Sequence, residues 1–157
     1  GAPIRGVALA MNEPVGIIGM ICPDENPLLG LVSLIAPALA MGNVVVAIPS
    51  EPFPLSATDL YQVFETSDLP IGGVNIITAK HAEVAESLAG HMDLDAVWYF
   101  GSSRQSGVIE KASATNLKRT WVNHGFARDW IDPMQGEGEA FLRQATEVKN
   151  VWIPYGE

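Results

Sequence analysis

Short apolar runs rich in β-branched residues recur along this chain, each followed by a longer segment with helical spacing. The first, Val15-Gly-Ile-Ile-Gly-Met-Ile-Cys22, is bounded by Pro14 and Pro23. An unbroken apolar run predicts a strand covered on both faces, because a strand with one wet face alternates instead. Residues 27–41 then place Leu31, Leu34, Ile35, Ala38 and Leu39 on one helical face. Pro37 predicts a kink there, and Gly42 stands where a helix ends. Residues 43–48 predict the second strand and 54–66 the next helix, broken by Pro70, Gly72 and Gly73. Strands at 74–78, 94–100 and 119–122 alternate with helices around 82–89 and 106–114. Strand and helix in strict alternation predict βαβ units with right-handed crossovers. The fold class expected is therefore α/β, a Rossmann-like open parallel sheet with helices on both faces.

Residues 126–157 differ. Their first part is polar and irregular, Phe141, Leu142 and Ala145 predict a short helix, and Val151-Trp-Ile153 predicts a last strand. This division predicts a domain over 1–125 and an appendage over 126–157 that packs back on the sheet edge. Residues 5–11 read as an extended lead-in. Gly136 and Gly138 would allow the tail to exchange between chains.

The chain's 157 residues suffice for one core without a metal or disulfide. A formal net charge of −9 disfavours nucleic acid and anionic membrane surfaces as partners. Cys22 is the one cysteine, so intrachain disulfides and CxxC metal or redox sites are excluded. The longest apolar stretch, 28–41, is too short to span a bilayer. The opening residues lack a charged-then-apolar leader pattern, and a cytoplasmic location is expected.

Over residues 14–125 the chain resembles the coenzyme-binding region of the aldehyde dehydrogenase superfamily. The resemblance rests on Glu13-Pro-Val-Gly-Ile-Ile-Gly19, on Pro23 and Pro27-Leu28, and on Ile35-Ala-Pro-Ala-Leu-Ala-Met-Gly-Asn43. It continues through Pro49-Ser-Glu51, Pro54-Leu55, Leu69-Pro70, Gly73-Val-Asn-Ile-Ile-Thr78, Phe100-Gly-Ser102 and Asn116-Leu-Lys-Arg119, all in the family's order. Ile21-Cys-Pro-Asp-Glu25, Trp98-Tyr-Phe-Gly-Ser102 and Trp152-Ile-Pro-Tyr-Gly-Glu157 are similar to the incomplete C-terminal copy carried by the family-sixteen branch. The resemblance implies an αβα three-layer fold and NAD(P) as the coenzyme. It implies vestigial coenzyme contacts at Pro49, Ser50, Glu51, Gly101 and Ser102.

The departures from the family pattern fall on chemistry. Glu25 stands where the family's Asn donates to an oxyanion, and an ionised carboxylate cannot donate. Ile48 replaces the Lys that bonds the adenosine ribose, while the family's ribose-binding Glu is kept as Glu51. Ala79-Lys-His81 replaces a glycine pair beneath the coenzyme. The Gly-Ser-Thr-x-x-Gly phosphate loop becomes Gly101-Ser-Ser-Arg-Gln-Ser-Gly107, one residue longer. Asn123 replaces the general base, and an amide is no base near neutral pH. Cys22 matches no nucleophile position.

Bland alternatives accompany each candidate. Glu51 also reads as a surface residue on a loop, and Gly101-Ser102 as a tight turn kept for packing. His124 lacks a nucleophile beside it, and Asp24-Glu25 reads as a solvated turn. Trp98, Trp121, Trp130 and Trp152 read as core or interface anchors.

The resulting expectation is a catalytically incomplete domain with no catalytic residues, no bound cofactor and no metal. Its role would be structural, assembly or regulatory, within a longer NAD(P)-dependent oxidoreductase. Its partners would be the rest of such a polypeptide or a second copy of the chain. The alternative is a nucleotide-binding regulatory module that keeps weak NAD(P) binding.

Overall fold

A computed structural model describes residues 6–154. Residues 1–5, with the first residue of the expected lead-in, and the closing Tyr155-Gly-Glu157 of the branch resemblance lie outside them. The elements run β1 (Gly6–Pro14), β2 (Ile17–Ile21), α1 (Pro27–Ala40), β3 (Val44–Ile48), α2 (Leu55–Thr58), α3 (Tyr61–Glu65), β4 (Val74–Ile76), α4 (His81–Gly90), β5 (Ala96–Tyr99), α5 (Ser103–Ser113), β6 (Arg119–Val122), α6 (Pro133–Gly136), α7 (Glu139–Gln144) and β7 (Thr146–Pro154). Strands β2 to β6 form one parallel five-stranded sheet in the order β4-β3-β2-β5-β6. The chain starts in the middle, works to one edge, then crosses to the other, so the order reverses between β2 and β5. In open α/β sheets such a reversal opens a crevice at the carboxyl ends of the two central strands.

Burial explains the apolar runs. Ile18, Met20, Val45, Ala47, Ala96 and Trp98 face one layer, built with Leu31, Leu34, Ile35 and Ala38 of α1 and with Phe141 and Ala145 of the tail. Ile21, Ile48, Val97 and Tyr99 face the other, against Ala85 and Ala89 of α4 and Ile109 of α5. The parallel α/β sheet expected from the alternation is thus the one observed. One local expectation changes. The helix expected at 54–66 is two short helices separated by Asp59 and Leu60. α1 runs unbroken through Pro37.

The last strand does not lie on an edge of that sheet. β7 pairs antiparallel with β1 over nine residues, from Gly6 opposite Pro154 to Pro14 opposite Thr146, as a separate ribbon. Most of its residues are exposed, and Trp152, expected as an anchor, is 81% exposed. Gly136, expected as a hinge, is buried instead, and a Cβ there would run into the Trp130 carbonyl oxygen.

The tail is nonetheless fastened to the core. Trp121, Phe141, Phe100 and Trp130 make a chain of edge-on ring contacts with centroids 4.9–5.1 Å apart. The Arg128 guanidinium sits 5.1–5.6 Å from all four ring centroids, and its Nε donates to the Gln135 carbonyl at 2.7 Å. Cations over aromatic faces are attracted by the ring quadrupoles, more so when partly desolvated. Asn43 supplies a second fastening. Its Nδ2 donates to the Ala38 and Ala145 carbonyls, and its Oδ1 accepts from the Gly16 N–H.

Candidate functional site

The crevice at the sheet's reversal is a groove of about 540 Å³ lined by, among others, Glu25, Glu51, His81, Tyr99, Ser102 and Asn123. It gathers most of the residues singled out in the sequence. A larger cleft of about 690 Å³ lies between α7 and the ribbon, at residues such as Asn12, Glu139 and Val148, and holds none of them. The groove is therefore the relevant place, because it lies where the chain reversal and the chemical departures coincide.

Its floor is built by two turns. After β5, Gly101 and Ser102 lead into α5, and Ser102 caps that helix by accepting from the Gln105 N–H at 3.3 Å. Helix N-termini of this kind attract anions, because their N–H groups have no partner in the helix. Here the donor of the capping residue is already used. The Ser102 N–H donates to the Tyr99 hydroxyl at 2.8 Å. The Tyr99 ring also lies so close to Gly101 that a Cβ there would meet the hydroxyl.

The neighbouring donor is used too. The Gly101 N–H donates to Asn123 Oδ1 at 2.9 Å, and Asn123 Nδ2 donates to the Phe126 carbonyl at 2.8 Å. Asn123 therefore ties the turn after β6 to the turn after β5. The side chain standing where a base is implied is a two-way structural link.

On the opposite wall, Glu51 accepts from the His81 N–H through Oε2 at 3.0 Å. That places a carboxylate at the first turn of α4, where the helix dipole favours it. The Glu51 N–H in turn donates to Asp24 Oδ1 at 2.8 Å. The His81 imidazole reaches back to the Pro49 carbonyl at 2.8 Å, with Nε2 as donor. His81 thus fills the space that the resemblance gives to a glycine. Ile48 is 1% exposed and belongs to the apolar cluster that holds the Tyr99 ring. Ser50 is buried, and its Oγ has no hydrogen-bond partner.

Of the five expected contact residues, Glu51, Gly101 and Ser102 line the groove, whereas Pro49 and Ser50 stand behind it. The groups a dinucleotide would meet are altered. The Ser102 N–H is bonded to the Tyr99 hydroxyl, one Glu51 carboxylate oxygen accepts from the His81 N–H, and the ribose Lys position is buried and apolar. Tyr99 was missed as a site residue in the sequence, although a hydroxyl-bearing ring three residues before Ser102 was its signal. His81 was visible there as a side chain where a glycine was implied.

The remaining candidates are inert. Cys22 is buried, and desolvation pushes its thiol up to about 12. A thiolate is the reactive species, so almost none exists near neutral pH. A fluorogenic maleimide is therefore expected to leave Cys22 unlabelled in the native protein and to label it on urea unfolding. His124 lies 3.4 Å from Glu110 on the exposed surface. Among the described residues no cluster of three metal-ligating side chains occurs, and no helix is long and apolar enough to cross a membrane.

Comparison with known proteins identifies the family and the fold. The model of the aldehyde dehydrogenase family matches residues 4–131. The chain is 38% identical over 120 residues to the NADP/NAD-dependent aldehyde dehydrogenase PuuC of Escherichia coli (strain K12), covering 76% of this chain and 24% of that protein. It is 36% identical over 115 residues to human (Homo sapiens) aldehyde dehydrogenase 1A1, covering 73% and 23%. Among solved structures, an indole-3-acetaldehyde dehydrogenase complexed with NAD+ superposes with a TM-score of 0.73 at 33% identity, covering 80% of this chain and 26% of that one. The chain spans about a quarter of the length of the curated relatives it matches.

Proposed function

We propose that this chain, which belongs to the aldehyde dehydrogenase family, is a non-catalytic part of a longer NAD(P)-dependent aldehyde dehydrogenase-type polypeptide, with a structural, assembly or regulatory role there. The division into a domain over 1–125 and an appendage over 126–157, and the likeness to the family-sixteen branch, belong to the same reading. One observation carries it. Asn123, at the general-base position, spends its side chain on Gly101 and Phe126. It can neither take a proton nor activate a water.

Two further observations support the reading. Cys22 is buried and protonated, so thioester chemistry has no nucleophile in this chain. The ribbon leaves Val7, Leu9, Met11, Val148, Trp152 and Ile153 exposed, which is the apolar surface a neighbouring segment or a second copy would cover.

The test is turnover. The purified chain, given acetaldehyde or longer aliphatic aldehydes with NAD+ or NADP+, is expected to form no NADH or NADPH above a heat-denatured control. Activity that persists through successive purification steps and disappears in Cys22→Ser would overturn the proposal.

A second reading is favoured by the groove itself, which still lies at the sheet's reversal and is lined by Glu51, Gly101 and Ser102. On that reading the chain is a nucleotide-binding regulatory module with weak NAD(P) affinity. Micromolar binding of NAD+ by calorimetry, weakened by Glu51→Ala, would favour it.

A further inference from the structure

We propose that Tyr99 is an internal plug of the dinucleotide groove: its hydroxyl occupies the backbone donor that a pyrophosphate oxygen would otherwise take. The proposal rests on the non-catalytic reading above and deepens it, because it names the contact that keeps a coenzyme out.

The geometry comes from the strand. Tyr99 is the last residue of β5, the strand beside the sheet's reversal, and its ring is packed in the cluster of Ile21, Ile48 and Val97. A ring held there has one polar atom to place, and the strand's carboxyl end directs it towards the turn at Gly101 and Ser102. The hydroxyl accepts from the Ser102 N–H at 2.8 Å and lies 3.4 Å from Ser102 Oγ. An oxygen at hydrogen-bond distance from the N–H of the residue that caps α5 occupies one donor an anion could use, without bringing a charge. A ligand oxygen must displace it, and the displaced hydroxyl, at a residue 5% exposed, has little water to turn to.

Ile48 and His81 make the plug durable. Ile48 gives the ring an apolar wall where a lysine would have brought a charge. His81, bonded to Pro49, narrows the opposite side of the same groove. Tyr99, Ile48 and His81, remote from one another in sequence, therefore act on one space. The ligand class excluded is the dinucleotide, whose pyrophosphate and adenosine ribose require both walls at once.

The experiment uses the full chain, with Tyr99→Phe and Tyr99→Phe/His81→Ala, and NAD+ as the probe. Tyr99→Phe keeps the ring and removes the oxygen. Melting curves check that each variant is folded. Calorimetric titration is expected to give no saturable heat with the parent chain and a binding isotherm with the double variant, tighter by at least about tenfold. Amide hydrogen exchange gives a readout that needs no ligand: the Ser102 amide is expected to exchange at least about tenfold faster in Tyr99→Phe, because its acceptor is gone. Folded variants that bind no better than the parent, or an unchanged Ser102 exchange rate, would overturn the plug and leave the non-catalytic reading standing. A parent chain that binds NAD+ as tightly as the variants would overturn the plug and favour the nucleotide-binding module instead.

Discussion

Phe141→Ala is expected to lower the free energy of unfolding by about 4 kcal/mol, as large-to-small changes at buried aromatic positions do. Phe141 is 1% exposed, and its ring lies 5.1 Å from Trp121 and 5.1 Å from the Arg128 guanidinium. Removing it opens a cavity between the tail and the five-stranded sheet. The surrounding rings cannot collapse into that space, because Phe100, Trp121 and Trp130 are each locked edge-on to another ring. It also strips one face from the box around a partly desolvated guanidinium. Urea denaturation followed by tryptophan fluorescence measures the loss, since three of the four tryptophans report on this cluster or abut it. Leu142→Ala, on the same short helix but 37% exposed, is the control and is expected to cost much less. A Phe141→Ala loss no greater than the control's would show that the tail is not packed as described.

Asn43→Ala is the second large effect, about 3 kcal/mol, because it leaves buried backbone groups without partners. Asn43 is 4% exposed and joins three segments that are remote in sequence. Its amide holds the end of α1 through Ala38 and the end of α7 through Ala145, and its carbonyl oxygen holds Gly16 at the entry to β2. Ala38 keeps a bond from the Asn43 backbone N–H. Gly16 has no such replacement, and Ala145 keeps only the 3.4 Å bond from Val15. Asn43→Asp tests direction as well as size. It keeps the acceptor for Gly16 but turns the two donated bonds into repulsion between oxygens, so it is expected to be at least as damaging as alanine. Thermal melts of the two variants decide this, and an Asn43→Asp protein as stable as the parent would refute the bonding described.

These cases show where the sequence was legible. β2 and β3 were plain because Ile18 to Ile21 and most of Val45 to Ile48 are buried, on both faces of the sheet, and such burial writes an unbroken apolar run. The order of strands followed from alternation, since right-handed crossovers leave few choices. The break at Asp59 and Leu60 left no mark, because neither residue ends a helix by its own chemistry. Asn43 was counted as the first residue of a strand, and nothing local shows that its amide bonds a carbonyl at position 145. Arg128 and its four rings come from β6, the turn after β5 and the tail, so no window of sequence contains them together. At the groove, substitutions at Glu25, Ile48, His81 and Asn123 were visible as lost chemistry. What replaced that chemistry was not, because a hydroxyl's partner depends on where the strand aims it.

The ribbon of β1 and β7 has a mechanical consequence. Gly6 and Pro154 sit opposite each other at its far tip, and Pro14 and Thr146 at its base. A pull applied at Gly6 and Pro154 would open the pairs one after another, in the peeling direction, where each step loads only the next few hydrogen bonds. The five parallel strands feel no pull until the peeling reaches Pro14. Under such a pull the ribbon is a fuse in series with the core, expected to yield before the five-stranded sheet that walls the groove.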